Sequence, residues 1–392
     1  MITAMEWIYL DNSATTALCP EARDAMLEAM DTFGNPSSLH GAGQAAHTLV
    51  ERARGQVAGA LGVRLTRPQE LIFTSSGTEA SNLAILGSVY AKSRRIGKRI
   101  ITTDCEHPSV DAVMERLAAD GFDVVRVPTR GGVLDVDAAI RALDEPTVLV
   151  SMMLVNNETG ARFDVERVFR AAKQKNPATV THCDAVQGFL KIPFTPASLG
   201  ADMVTVSAHK IHGPKGVGAL YVSPAIHKAK QLAPYIHGGG QESGLRSGTE
   251  NVVCICGFGA AAARGVVRRD HDVQRVTELR AYLEARLSAL DVRVNAPAGD
   301  RAPHIVSLTL PQIKSQTMLN WLSAKGICVS SGSACSSHKQ TASPTLLAFG
   351  LTPREADCTL RVSLSADNTE AQLDALCETL EGGLASLVRI KR

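Results

Sequence analysis

The 392-residue sequence predicts an α/β fold: a large domain with a mostly parallel sheet covered by helices, followed by a smaller α+β domain. Three observations carry this. Short apolar, β-branched runs alternate with amphipathic helical stretches, the pattern of strands buried on both faces. After about Ala263 the strands become sparse and a long charged helical stretch takes over. With 45% hydrophobic and 20% charged residues, the chain is ordinary for a soluble globular protein and long enough for two domains.

Taken in order, "LIFT" (Leu71 to Thr74) reads as a strand before a helix from about Thr78. "RIITT" (Arg99 to Thr103) precedes a helix from about Pro108, and "VLVSMM" (Val148 to Met153) one from about Val165. "TVTHCD", "MVTVSA" and, past a glycine-rich turn, "VGALYV" complete the large sheet. Ligands of such sheets bind at the carboxyl ends of the strands. "VVCICGFGAAAA" (Val252 to Ala263) reads as a buried helix, too short to span a bilayer. "RGVVRRDHDVQRVTELRAYLEARLSAL" follows, then strands at "HIVSLTL" and "TLRVSL" and a last helix from about Thr369 to Val388.

A net charge of +2 makes no case for a nucleic-acid or membrane surface. Nine cysteines form no C-x-x-C pair, and a chain of this size needs no staples, so a reducing compartment is expected. The start, "MITAMEWIYLDNSATT", lacks the basic and apolar regions of a signal peptide. A cytoplasmic protein is the expectation.

Three loops carry chemistry. "TSSGTEASN" (Thr74 to Asn82) opens a helix with small hydroxylated residues, either an ordinary cap or an anion cradle; no Gly-Lys-Ser/Thr follows, so it is not a P-loop. In "THCDAVQG" (Thr181 to Gly188), Asp184 ends a strand, where it caps a helix or pairs with a protonated ring nitrogen. His182 and Cys183 are adjacent on a strand and point to opposite faces, against a shared metal. In "VSAHKIHGPKGVGAL" (Val206 to Leu220), Lys210 follows an apolar strand, either a solvated loop lysine or a desolvated amine nucleophile. Lys215 reads as the solvated kind. Lysine, carboxylate and anion cradle in this order suit pyridoxal 5'-phosphate. A fourth stretch, "SSGSACSSHK" (Ser330 to Lys339), sets Cys335 among small polar residues, although cysteine ordinarily prefers burial.

With these residues in view, the sequence resembles the cysteine desulfurases, pyridoxal-phosphate enzymes of the aminotransferase class V fold. The resemblance runs through "YLDNSATT", "FGNPSSLH", "SSGTEASN", "EHPSV", "VNNETG", "DAVQ", "SAHKIHGPKG", "GGGQESGLRSGTEN", "SSGSACSS" and "LRVSL". It implies that Lys210 carries the cofactor and Asp184 holds its pyridinium nitrogen. His107 stacks on the ring and shares in proton transfers, while Asn157 and Gln187 bond the phenolic oxygen. Gly77, Thr78, Ser207 and His209 cradle the phosphate, and Thr249 reaches the phosphate of a neighbouring subunit, implying a homodimer. Arg361 grips the substrate carboxylate as a bidentate fork, with Asn35 near the same end. Cys335 attacks the sulfur of L-cysteine, alanine leaves, and a persulfide remains; serine and glycine around it give the freedom to reach an acceptor protein. His338 and Lys339 either favour the thiolate or are plain loop residues. The expected division is 17–262 for the large domain, with 1–16 and 263–392 forming the small one.

"SSGSAC" is similar to the group with a longer, flexible cysteine loop, which feeds scaffold, thiolation or carrier proteins. The end at "SLVRIKR" is shorter than in relatives that dock an iron–sulfur scaffold through a tail, so tRNA or thiamine thiolation rivals iron–sulfur assembly. Selenocysteine lyase and cysteine sulfinate desulfinase share the cofactor chemistry and need the thiol less. A metal-binding or sulfur-relay reading rests on Cys335-x-x-His338, for which no second half is visible, so no metal is expected. The other cysteines read as packing residues: Cys183, Cys254, Cys256, Cys328 and Cys358 in apolar runs, and Cys105 beside "EH".

Overall fold

The computed structural model describes residues 7–331 and 342–389, with the backbone alone for residues 92–95. Cys335 therefore lies outside the described residues. The strands are β1 (Ile8–Tyr9), β2 (Leu71–Thr74), β3 (Arg99–Thr103), β4 (Asp123–Val127), β5 (Thr147–Met153), β6 (Val180–Asp184) and β7 (Met203–Ser207). β8 (Gly218–Val222), β9 (Arg293–Val294), β10 (Ile305–Thr309), β11 (Ile327–Cys328), β12 (Ser330–Ser331) and β13 (Thr359–Ser363) follow.

Seven strands form the main sheet in the order β2-β8-β7-β6-β5-β3-β4. β8 alone runs against its neighbours; all other pairings are parallel. The period-2 geometry of a strand then feeds two cores: Leu71 and Phe73 of β2 pack on one face and Ile72 on the other. Likewise Val204 and Val206 of β7 oppose Met203. Because six strands share one direction, their carboxyl ends gather on a single edge, and the loops after β2, β3, β5, β6 and β7 meet there.

A second, antiparallel sheet has the order β12-β13-β10-β9, and β1 pairs in parallel with β11. Leu10, beyond β1, joins this second core. The two helical stretches read on either side of Ala263 are one 36-residue helix, Val252–Leu287. Its first part (Ile255, Phe258, Ala262) packs into the main-sheet core and its last part (Val276, Leu279, Leu283) into the second. The helix runs unbroken through Gly265 between those parts, so the change of partner happens without a break in the backbone.

Candidate active site

Six loops and one strand close on a cavity of about 330 Å³. After β2, the 20-residue helix Gly77–Ile96 begins, with Ser76 Oγ accepting from the Glu79 N–H at 3.2 Å. Gly77 and Thr78, the first two residues of that helix, line the cavity, where first-turn amides and the helix dipole favour an anion. An added Cβ at Gly77 would come within 3.1 Å of Val186 Cγ2, and one at Gly218 within 2.5 Å of the Ser76 carbonyl carbon. Glycine at both positions lets β8 and the turn after β6 close on the cradle.

After β3, His107 caps the helix Pro108–Ala119, its Nδ1 accepting from the Ser109 N–H at 3.1 Å. That contact leaves the proton of the neutral ring on Nε2. Burial, Lys210 and Arg361 push His107 down to about 4, so the ring is neutral near pH 7. Asp184, at the end of β6, accepts from the Val186 N–H at 3.0 Å and is buried. Burial raises it to about 6, against the pull of that amide and of Lys210. Asp184 holds a turn and does not cap a helix, and it borders the cavity.

Lys210 sits in a single 3₁₀ turn after β7. Its Nζ donates to the carbonyls of Ser13 at 2.5 Å and Ala14 at 2.8 Å. His209 beside it is lowered to about 4 by burial and by Lys210, Lys215 and Lys191. Arg361 enters from β13 of the second sheet. Its Nη1 donates to the Asn157 carbonyl at 2.9 Å and its Nη2 to Asp11 Oδ1 at 2.8 Å. Arg361 Nε is buried without a partner among the described residues.

Gly77, Thr78, His107, Asn157, Asp184, Gln187, Ser207, His209, Lys210 and Arg361 thus all border one cavity. Thr249 and Asn35 do not. Thr249 is exposed on a loop tied to the helix Gly77–Ile96 by Arg246 and Glu79, 2.8 Å apart. Asn35 is exposed, and its Oδ1 is occupied by the Ser37 N–H at 2.9 Å. Sequence reasoning missed the Ser13 and Ala14 carbonyls, Asp11 and Ser109. "YLDNSATT" was the available signal for the first three, but nothing local ties residue 13 to residue 210.

Lys215 is exposed. His182 is a satisfied core histidine between Ser151 and Thr205, at 2.9 Å from each hydroxyl. Cys183, Cys256 and Cys358 are buried, whereas Cys254 and Cys328 are only partly so, each near an end of its element. Burial pushes the Cys105 thiol up to about 12, which makes it inert. No group of three or more His, Cys, Asp or Glu among the described residues could hold a metal, and no helix among them is long and apolar enough to cross a membrane.

The aminotransferase class-V family model matches residues 8–376. The chain is 38% identical to the cysteine desulfurase IscS of Dictyoglomus turgidum over 380 residues, 95% of this chain and 93% of that protein. A solved NifS-like protein superposes with a TM-score of 0.89 at 37% identity, covering 97% of this chain and all of that one. A structure of SspA in complex with cysteine gives 0.79 at 30% identity, covering 92% and 99%. The cofactor of these enzymes is pyridoxal 5'-phosphate, and the cavity fits it. A lysine amine, a buried carboxyl, a neutral imidazole and a glycine-opened helix N-terminus face the same space. Fold, cavity and relatives agree: the chain belongs to the cysteine desulfurases of the aminotransferase class-V family.

Proposed function

We propose that the chain removes sulfur from L-cysteine, releases L-alanine and holds the sulfur as a persulfide on Cys335 for an acceptor protein. The observation that carries this is the convergence of Lys210, Asp184, His107 and Arg361 on one cavity. Lys210 would hold the cofactor through Nζ, Asp184 would serve its ring nitrogen and His107 its ring face. Gln187 and Asn157 face the phenolic oxygen; Gly77, Thr78, Ser207 and His209 face the phosphate. Bound there, pyridoxal phosphate supplies an electron sink for bonds at the substrate Cα.

Arg361 takes the substrate carboxylate: its Nε–H is unpartnered among the described residues, and each Nη keeps a second N–H for the same task. Its other nitrogens are held by Asp11 and Asn157, so the guanidinium is oriented before substrate arrives. Lys210 Nζ would carry the proton at the substrate Cα. Cys335 Sγ, as thiolate, attacks the substrate sulfur: the Sγ–S bond forms and the Cβ–S bond breaks. The electron pair stays on Cβ, which takes a proton and becomes the methyl of alanine. The acceptor belongs to iron–sulfur cluster assembly or to tRNA or thiamine thiolation.

The chain acts as a homodimer in this reading. Leu27, Met30, Phe33 and Leu39 form an exposed apolar run, with Phe33 and Leu39 at 90% and 92% exposure. Such a surface suits a protein interface, and exposed Thr249 is available to a neighbouring subunit.

The test is a spectrum joined to a labelling experiment. The purified protein shows the visible band of lysine-bound cofactor, and added L-cysteine yields alanine and a 32-dalton gain on Cys335, the ~32 of one sulfur atom. Lys210→Ala loses the band and the turnover. Cys335→Ala keeps the band and loses cysteine turnover; retained turnover would overturn the role of the thiol.

A further inference from the structure

Gln187 is held from behind. Its Oε1 accepts from Lys191 Nζ at 3.4 Å and from His304 Nε2 at 3.2 Å, while its Nε2 donates to the Ser13 carbonyl at 2.9 Å. These partners decide the amide flip, because an ammonium only donates and a backbone carbonyl only accepts. They also decide the tautomer of neutral His304, whose proton must sit on Nε2 to reach Oε1. One N–H of the Gln187 amide is spent on Ser13, and the second is left for the cofactor cavity that Gln187 lines.

Lys191 and His304 do not line that cavity. They border a separate one of about 80 Å³, which Lys210 shares, along with Arg264, Arg269 and Asp272 of the long helix and His212. Asp272 is committed to Arg268 at 3.1 Å. Lys191 therefore sits in largely cationic surroundings.

We propose that Lys191 and His304 are positioning residues for the cofactor: together they clamp the Gln187 amide with its N–H toward the phenolic oxygen, and Lys191 sets a positive charge behind it. With the amide flipped, Oε1 would meet an anionic oxygen and both rear donors would lose their acceptor. Burial, Lys210 and Arg361 push Lys191 down to about 7, so an anionic oxygen in front of Gln187 favours its charged form in return. The inference rests on the assignment of Gln187 to the phenolic oxygen.

The experiment compares wild type, Gln187→Met, Lys191→Met, Lys191→Arg and the Gln187→Met/Lys191→Met double variant. Each is reconstituted with pyridoxal phosphate, the visible band of the bound cofactor is titrated with pH, and the cofactor dissociation constant is measured. A nearby cation favours the deprotonated oxygen, so Lys191→Met moves the midpoint upward by about 1 pH unit. Lys191→Arg stays close to wild type. The double variant moves less than the sum of the two single shifts, because part of the Lys191 effect is the clamp on that amide. His304→Leu weakens cofactor binding, and unchanged binding would remove His304 from the clamp. Should Lys191→Met fail to fold, Lys191→Gln carries the same test, losing the charge and keeping a donor. A wild-type midpoint in Lys191→Met beside a shifted one in Gln187→Met overturns the inference alone. An unmoved Gln187→Met overturns the assignment beneath it as well.

Discussion

Replacing Glu106 by glutamine tests the electrostatics under the site. Glu106 precedes His107 and is buried. Its Oε1 accepts from Thr103 Oγ1 at 2.7 Å and from the Met153 N–H at 3.0 Å, while Oε2 has no partner among the described residues. Burial above all, with Asp184 adding to it, raises the carboxyl from 4.5 to about 8 against those two hydrogen bonds. Between these values the folded protein holds the proton and the unfolded chain does not. Wild-type stability therefore falls as pH rises through that window. The slope is about 1.4 kcal/mol per pH unit, or roughly 5 kcal/mol across it. Glutamine keeps both bonds to Oε1 and cannot ionise. The stability advantage of Glu106→Gln over wild type therefore grows steadily from about pH 5 to about pH 8. Urea unfolding of both holoproteins at half-unit pH steps measures it, with midpoints diverging by on the order of 1 M. Other shifted groups are common to both proteins and largely cancel in the difference. A difference that stays flat from pH 5 to 8.5 would refute the reasoning, because it would mean that Glu106 ionises inside the fold without penalty.

Two further predictions concern the frame around the cofactor. Arg54 and Glu242 form a buried two-bond pair at 2.7 and 2.9 Å, and Glu242 Oε2 also accepts from the Phe73 N–H at 2.9 Å. Glu242→Ala leaves the buried guanidinium with Glu51 alone, 2.9 Å from its Nε, as charge partner and costs about 3 kcal/mol. Arg54→Met/Glu242→Leu, which removes both charges, costs less than Glu242→Ala when the two are compared by urea unfolding. At Gly218 an added Cβ would lie 2.5 Å from the Ser76 carbonyl carbon and 2.7 Å from the Gly77 nitrogen. Gly218→Ala displaces the phosphate turn and weakens pyridoxal phosphate binding about tenfold or more; equilibrium titration of the apoprotein reads it, and an unchanged affinity would detach that turn from the phosphate.

Much of the site was legible because its signals are local. "LIFT" and "RIITT" coincide with β2 and β3 residue for residue, since strands buried on both faces read as short runs rich in apolar and β-branched residues. Small and hydroxylated residues marked the turns that follow, and the carboxyl-end rule turned those turns into a site. Partners distant in the chain left no such trace. Lys210 bonds to carbonyls 197 and 196 positions away, and Arg361 to an aspartate 350 positions away. A backbone carbonyl has no side-chain identity to read, and Asp11 looks like any turn aspartate. The boundary near Ala263 was read from a change in composition, which on the long helix reflects a change of packing partner.

The sequence by itself determined the order of strands and helices, the loops that carry chemistry and the residue types the cofactor needs. Those follow from period, burial and turn propensity, which act over a few residues. Only the tertiary structure decided the state of each group: His107 neutral with its proton on Nε2, the Gln187 amide facing one way, Arg361 held by Asp11. Protonation and orientation depend on desolvation and on charges brought within a few ångströms by the fold. Some of those neighbours are local, as Ser109 is to His107, but Ser13 and His304 lie 174 and 117 positions from Gln187, and Asp11 lies 350 from Arg361.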